Sequence, residues 1–138
     1  MVKLTAEMKA DIQKVKVLPL ATASNDKTPN VIPIGIAEID DSGEDDYIHI
    51  MNNFFLKTIT NIKENPKVAL YIWSPETSGC IQIKGEVVEI TAKGNVYDDM
   101  TGRVAEAKPG LPMKEIIRIK ITDIFNCKSG KEAGQKIL

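Results

Sequence analysis

Over the first fifteen residues Leu4, Met8, Ile12 and Val15 recur every three or four positions, the spacing that gathers apolar side chains on one helix face. Thr5 followed by Glu7 supplies a start, so an opening helix of about three turns is predicted. The rhythm then shortens to two. LPLATAS, residues 18 to 24, reads as a strand stopped by the turn residues NDKTP, and NVIPIGIAEID, residues 30 to 40, reads as a second. Within that second strand Pro33 has no N–H to give and Gly35 no side chain to pack. Such residues mark a sheet edge, a bulge or a place where a ligand approaches the backbone closely. After the acidic loop DDSGEDD, YIHIMN alternates cleanly and pairs most simply with the second strand as a hairpin.

In NNFFLKTITNIKENP, residues 52 to 66, Leu56, Ile59 and Ile62 return to helical spacing, and the residue before Pro66 avoids the helical region, so a helix ends there. KVALYIW (67 to 73) and CIQIKGEVVEIT (80 to 91) follow as strands, the second long enough to bend at Gly85. Val96, Met100 and Val104 predict a helix over 95 to 107, closed by KPGLP. MKEIIRIKITDIFNC, 113 to 127, supplies the last strand, and KSGKEAGQKIL is expected to be partly mobile. Six strands with three short helices between them give a mainly β chain of antiparallel neighbours. So many curved strands in one short domain favour a six-stranded antiparallel split barrel, with a sandwich as the alternative.

Charge excludes some partners. Eighteen basic against nineteen acidic side chains leave a net charge of −1 over 138 residues, too even a balance to attract nucleic acid or an anionic membrane as a whole. An anion must therefore be held by a local arrangement. The polar N-terminus lacks the apolar core of a signal segment and no run reaches membrane-spanning length, so a cytoplasmic protein is expected. Cys80 and Cys127 form no CxxC, and they read as free thiols without a metal site.

Lys57 and Thr58 carry the most informative chemistry. At a helix start, unpaired backbone N–H groups and the positive end of the dipole favour a phosphate, to which lysine adds a charge and threonine a hydroxyl donor. Asn52 or Asn53 could cap that helix. A solvated lysine beside an ordinary cap fits the same residues, and no glycine framework precedes Lys57 to make a P-loop. His49 is the chain's one histidine and has no nucleophile near it in sequence, which argues against a Ser-His-Asp hydrolase. The acidic loop lacks the ligand spacing of a calcium site, and Trp73 reads as core or interface packing.

The order of these pieces resembles the pyridoxamine 5'-phosphate oxidase-like FMN-binding split-barrel family. KTITNIKENPKVALYIW is similar to that family's basic residue, helix, Asn-Pro and apolar strand, and IKGEVVEI to its glycine-centred strand. The resemblance covers nearly the whole chain. It implies a homodimer with FMN at the subunit interface, the cofactor phosphate being held by Lys57 and Thr58, with Leu56 beside them among the cofactor-binding residues. It further implies that Pro33, Ile34 and Gly35 line the flavin ring with their backbone, and that Met51 and Asn52 pass beside the ribityl chain. Trp73, Cys80 and Gln82 would approach from the other subunit. The isoalloxazine ring is flat and largely apolar, so backbone amides and apolar side chains suffice to hold it.

The departures from that family bear on the reaction. Vitamin B6 oxidases of the family carry an arginine and a lysine on the second strand and an Arg-x-His-x-Arg signature near the C-terminus. Here the strand holds Ile32 and Ala37 and the chain ends in CKSGKEAGQKIL. The resemblance therefore points to the short FMN-binding and flavin reductase-like branch, an FMN-dependent oxidoreductase that is not a B6 oxidase. The alternatives are an electron carrier or flavin store, and a barrel for a deazaflavin or haem.

Overall fold

A computed structural model describes residues 1–138. Its elements are α1 (Ala6–Lys14), β1 (Leu18–Ala23), β2 (Pro29–Ile34), β3 (Ala37–Asp40), β4 (Tyr47–Asn52), α2 (Lys57–Glu64), β5 (Lys67–Ile72), β6 (Ile81–Thr91), α3 (Asn95–Ala107) and β7 (Glu115–Asn126). All seven strands belong to one sheet in the order β2-β1-β5-β6-β7-β4-β3, and every pairing is antiparallel.

That order contains its own closure. β2 and β3 occupy opposite edges of the sheet, yet only Gly35 and Ile36 separate them along the chain. Three residue steps of extended backbone reach at most about 11 Å. The sheet must therefore curl until its edges meet, which makes the split barrel. The stretch 30 to 40, expected as a single strand, is thus two strands, and the count is seven instead of six. Pro29 and Pro33 are tolerated because β2 is an edge strand, where a missing N–H leaves no partner unsatisfied.

Isoleucine dominates the barrel interior. Leu20, Ile48, Ile50, Leu70, Ile72, Ile83, Ile117, Ile119, Ile121 and Ile124 are almost wholly buried, and β-branched side chains pack well on a pleated surface. A smaller cluster of Met51, Met100, Val104 and Ile116 fixes α3 against the outside of β4 and β7. The predicted bend in β6 is a register shift between Lys84 and Gly85. A Cβ at Gly85 would stand 2.5 Å from Ile119 Cγ2 and 2.9 Å from the Lys120 carbonyl oxygen, so only glycine permits this approach of β6 to β7.

α1 starts as expected: the Thr5 hydroxyl accepts from the Met8 N–H at 3.2 Å. Two other expectations are corrected. Leu56, expected to share a helix face with Ile59 and Ile62, precedes α2 and is 81% exposed, and Ile62, Ile59 and Phe55 supply the core contacts there. The C-terminal segment is tied down. Ile137 and Leu138 donate to the Ile124 carbonyl, Ile124 donates to that of Leu138, and Lys136 Nζ lies 2.8 Å from Asp123 Oδ1. The far half of β7 runs past the end of β4, and this tail covers the ladder groups left there.

Replacing Gly85 with alanine is expected to destabilise the fold by about 1 to 3 kcal/mol through overpacking against Ile119 and the Lys120 carbonyl. Thermal unfolding checks this: Tm should fall by several degrees, and an unchanged Tm would mean that β6 and β7 separate there without cost.

Candidate functional site

Where the two sheet edges meet, the break in the ladder leaves a cleft of about 420 Å³. One wall is Ile32, Pro33, Ile34, Gly35 and Ile36; the others are Met51 from β4, Asn53, Phe54 and Phe55 from the turn before α2, and Lys108 and Leu111 after α3. Apart from Asn53 and Lys108 these side chains are apolar or absent, so the cleft suits a flat, mostly apolar group.

The turn into α2 is built by its two asparagines, although neither caps the helix as expected. The buried Asn52 accepts from the Phe55 N–H at 2.9 Å and donates to Glu115 Oε1 at 2.9 Å. Asn53 accepts from the Met113 N–H at 2.9 Å, holding the segment after α3. Their carbonyl oxygens are spent before the helix begins. α2 consequently has no side-chain cap, and its first-turn N–H groups keep their capacity to bind an anion.

Lys57 is exposed at this open terminus, whereas Thr58 is only 1% exposed. Asn30 Nδ2 donates to Thr58 Oγ1 at 3.1 Å and to Thr22 Oγ1 at 3.2 Å, and Asn61 Nδ2 donates to Thr22 Oγ1 at 3.1 Å. This network docks α2 on β1 and β2, and it turns the Thr58 hydroxyl inward instead of toward a ligand. Of the Lys57–Thr58 pair, the lysine side chain and the backbone N–H groups face outward.

Seven of the candidate residues thus gather around the cleft and the helix start: Pro33, Ile34, Gly35, Met51, Asn52, Leu56 and Lys57. Thr58 supports them from beneath. Trp73, Cys80 and Gln82 do not line this cleft. Trp73 follows β5 and is 49% exposed, and Gln82 pairs in register with Tyr71, whose hydroxyl lies 3.2 Å from Cys80 Sγ. Both cysteines are free, and the Cys127 N–H donates to the Cys80 carbonyl at 2.8 Å, so residues distant in sequence are cross-strand neighbours. Burial and the neighbouring Cys80 push the Cys127 thiol pKa up.

His49 lies on β4 away from the cleft, opposite Glu38 and Arg118. Its burial lowers its pKa, although the Asp40 carboxylate 3.9 Å away pulls the other way. The acidic loop fastens the N-terminus: Lys9 Nζ reaches Asp41 Oδ2 at 2.8 Å, and the buried Asp46 accepts from the Leu4 N–H at 2.6 Å and pairs with Lys3.

Sequence reasoning did not assign Ile32, Ile36, Asn53, Phe54, Phe55, Lys108 or Leu111 to the cleft. The detectable signal was the aromatic pair Phe54 and Phe55 directly before the helix start, of which the structure leaves Phe54 73% exposed. Lys108 and Leu111 gave none, because KPGLP announces only where a helix stops.

A family model for pyridoxamine 5'-phosphate oxidase matches residues 4–128. The chain belongs to this split-barrel family. It is 40% identical over 141 residues to an uncharacterised protein of Methanocaldococcus jannaschii, covering 99% of this chain and 89% of that one. Among solved structures it resembles HupZ of Group A Streptococcus, with a TM-score of 0.76, 26% identity, and coverage of 96% of this chain and 100% of that one. An FMN-binding protein from Syntrophomonas wolfei shares the fold at a TM-score of 0.71 and 20% identity, over 83% of this chain and 79% of that one.

Asn30 is the fork on which the α2 network rests. Asn30→Ala should cost about 1 to 3 kcal/mol by leaving the Thr22 and Thr58 hydroxyls short of a donor, with amide exchange accelerated in α2 more than in β6 and β7. Uniform loss of protection across all three elements would contradict this local role.

Proposed function

We propose that the chain is an FMN-binding protein that works as a cytoplasmic homodimer and catalyses a flavin-dependent oxidation or reduction. The observation that carries this reading is the continuity of the apolar cleft with an uncapped, lysine-bearing helix start: Asn53, Phe54 and Phe55 line the one and lead into the other. A group with a flat ring and a phosphate tail fits that pair of environments. The ring would lie along Pro33, Ile34 and Gly35, and the phosphate against Lys57 and the first-turn N–H groups. Bound flavin supplies the electron chemistry, while the chain's residues bind and orient it and shield one of its faces. Gly35, Pro33 and Phe54 remain exposed at the lip, which leaves room for a second small molecule and supports an enzyme over a closed flavin store.

The dimer has its own support. Ala21, Val31 and Ala69 share one outer sheet face by register, Pro19 and Pro33 pair beside them, and Val31, Tyr71 and Trp73 are exposed large apolar groups there. Small and apolar side chains on an open sheet face suit a flat self-association surface. Such an arrangement would bring Trp73, Cys80 and Gln82 of a second copy toward the ring, which they do not reach within one chain. Cleft residues offer one ammonium, from Lys108, and no arginine, so a phosphorylated B6 vitamer would lack a second set of cationic partners.

Titration with FMN tests the phosphate assignment. A charge-assisted contact contributes on the order of 1.5 to 3 kcal/mol, so Lys57→Ala should weaken FMN binding roughly ten- to a hundredfold. FAD should bind more weakly than FMN to the unaltered chain. Affinity within about twofold in the variant would remove Lys57 from the site. A separate measurement concerns assembly: on dilution, flavin release should track dissociation of the dimer, and a monomer retaining full FMN affinity would refute the shared site.

A further inference from the structure

Lys108 is the one charged side chain that lines the cleft. Its Nζ stands 3.7 Å from the point a Cβ on Gly35 would occupy, so the ammonium lies over the stretch of backbone that the missing side chain leaves bare. It makes no ion pair. Arg103, five residues earlier on α3, is by contrast held by Glu38 and Asp99; Lys3, Lys9, Lys14, Lys120 and Lys136 each have a carboxylate, and of the other unpaired lysines none lines the cleft.

The position is not left to chance. Met100 and Val104 anchor α3 against Met51 and Ile116, the Lys108 N–H donates to the Val104 carbonyl at 2.7 Å, and Leu111 returns to the cleft three residues later. The backbone of Lys108 is thereby fixed against the cleft wall. Lys108 itself is exposed, so its charge meets solvent on one side and, on the other, a cleft whose remaining lining is mostly apolar, Ile32, Ile34, Ile36, Met51 and Leu111 among it.

We propose that Lys108 is a positioning charge that makes the cleft prefer reduced flavin over oxidised flavin. This rests on the FMN reading above. Oxidised isoalloxazine is neutral; two electrons and one proton convert it to a reduced ring with one negative charge. A hydride donor supplies both electrons and the proton together. An unpaired ammonium beside the ring favours the charged product and leaves the neutral form little affected.

The experiment compares the affinities for oxidised and reduced FMN, the latter generated with dithionite, in the full-length protein and its variants. Lys108→Gln should lower the preference for reduced FMN on the order of tenfold, a fall of about 30 mV in the two-electron midpoint potential. Lys108→Arg, which keeps the charge, should retain most of the preference. Lys57→Ala serves as the contrast, because the phosphate is the same in both redox states: both affinities should fall and their ratio should hold. A ratio within about twofold of the original in Lys108→Gln, with FMN still bound, would overturn the role of Lys108 alone. Failure of the unaltered protein to bind FMN at all would overturn the flavin reading and this inference with it.

Discussion

The constraint on which the molecule depends is the two-residue link between opposite sheet edges. Gly35 and Ile36 tie β2 to β3 across a sheet in which five strands lie between them. Backbone reach leaves no flat solution, so curvature is imposed by connectivity and then stabilised by what it encloses. The isoleucines of β4, β6 and β7 fill the enclosed space, and Gly85 lets two of those strands approach where the curve is tight. The same link interrupts the ladder, and the cleft occupies the interruption. Shape and site have one cause.

A second constraint acts at the helix beside that cleft. α2 is held firmly while its first turn is uncapped, and the two features are separated by side-chain direction. Thr58 and Asn61 face inward to Asn30 and Thr22, which fixes the helix. Lys57 faces outward, and Asn52 and Asn53 give their carbonyl oxygens to Phe55 and Met113 instead of to the helix. A capped helix would be more stable and would have less to offer an anion.

Much of this was legible because it is local. Hydrophobic spacing located all three helices, α3 with its observed limits, and the bend at Gly85 followed from a glycine in a long strand. The family was legible in the order of motifs. What escaped depends on partners distant along the chain. Residues 30 to 40 carry an unbroken strand pattern, and only the identity of the neighbours, β1 on one side and β4 on the other, divides them. Asn53 resembles a cap until the Met113 N–H claims its carbonyl oxygen, and Leu56 fits helical spacing yet lies one residue outside the helix. The polar tail looked free because its partners are backbone groups of β7, which no side-chain pattern reveals.

The connectivity also sets an order of events during synthesis. The β1–β2 and β3–β4 hairpins are local and are tethered to each other by Gly35 and Ile36, but they are not hydrogen-bonded together. They become the two lips of one barrel only when β5, β6 and β7 insert between them, pairing Leu20 with Leu70 on one side and Ile48 with Ile119 on the other. Because β7 is the last strand made, a chain still emerging from the ribosome holds both hairpins without their closing partner. The cleft is therefore a late product of folding: its two lips are joined only once β7 links β6 to β4, and a chain truncated before Glu115 has the residues of the cleft without the cleft.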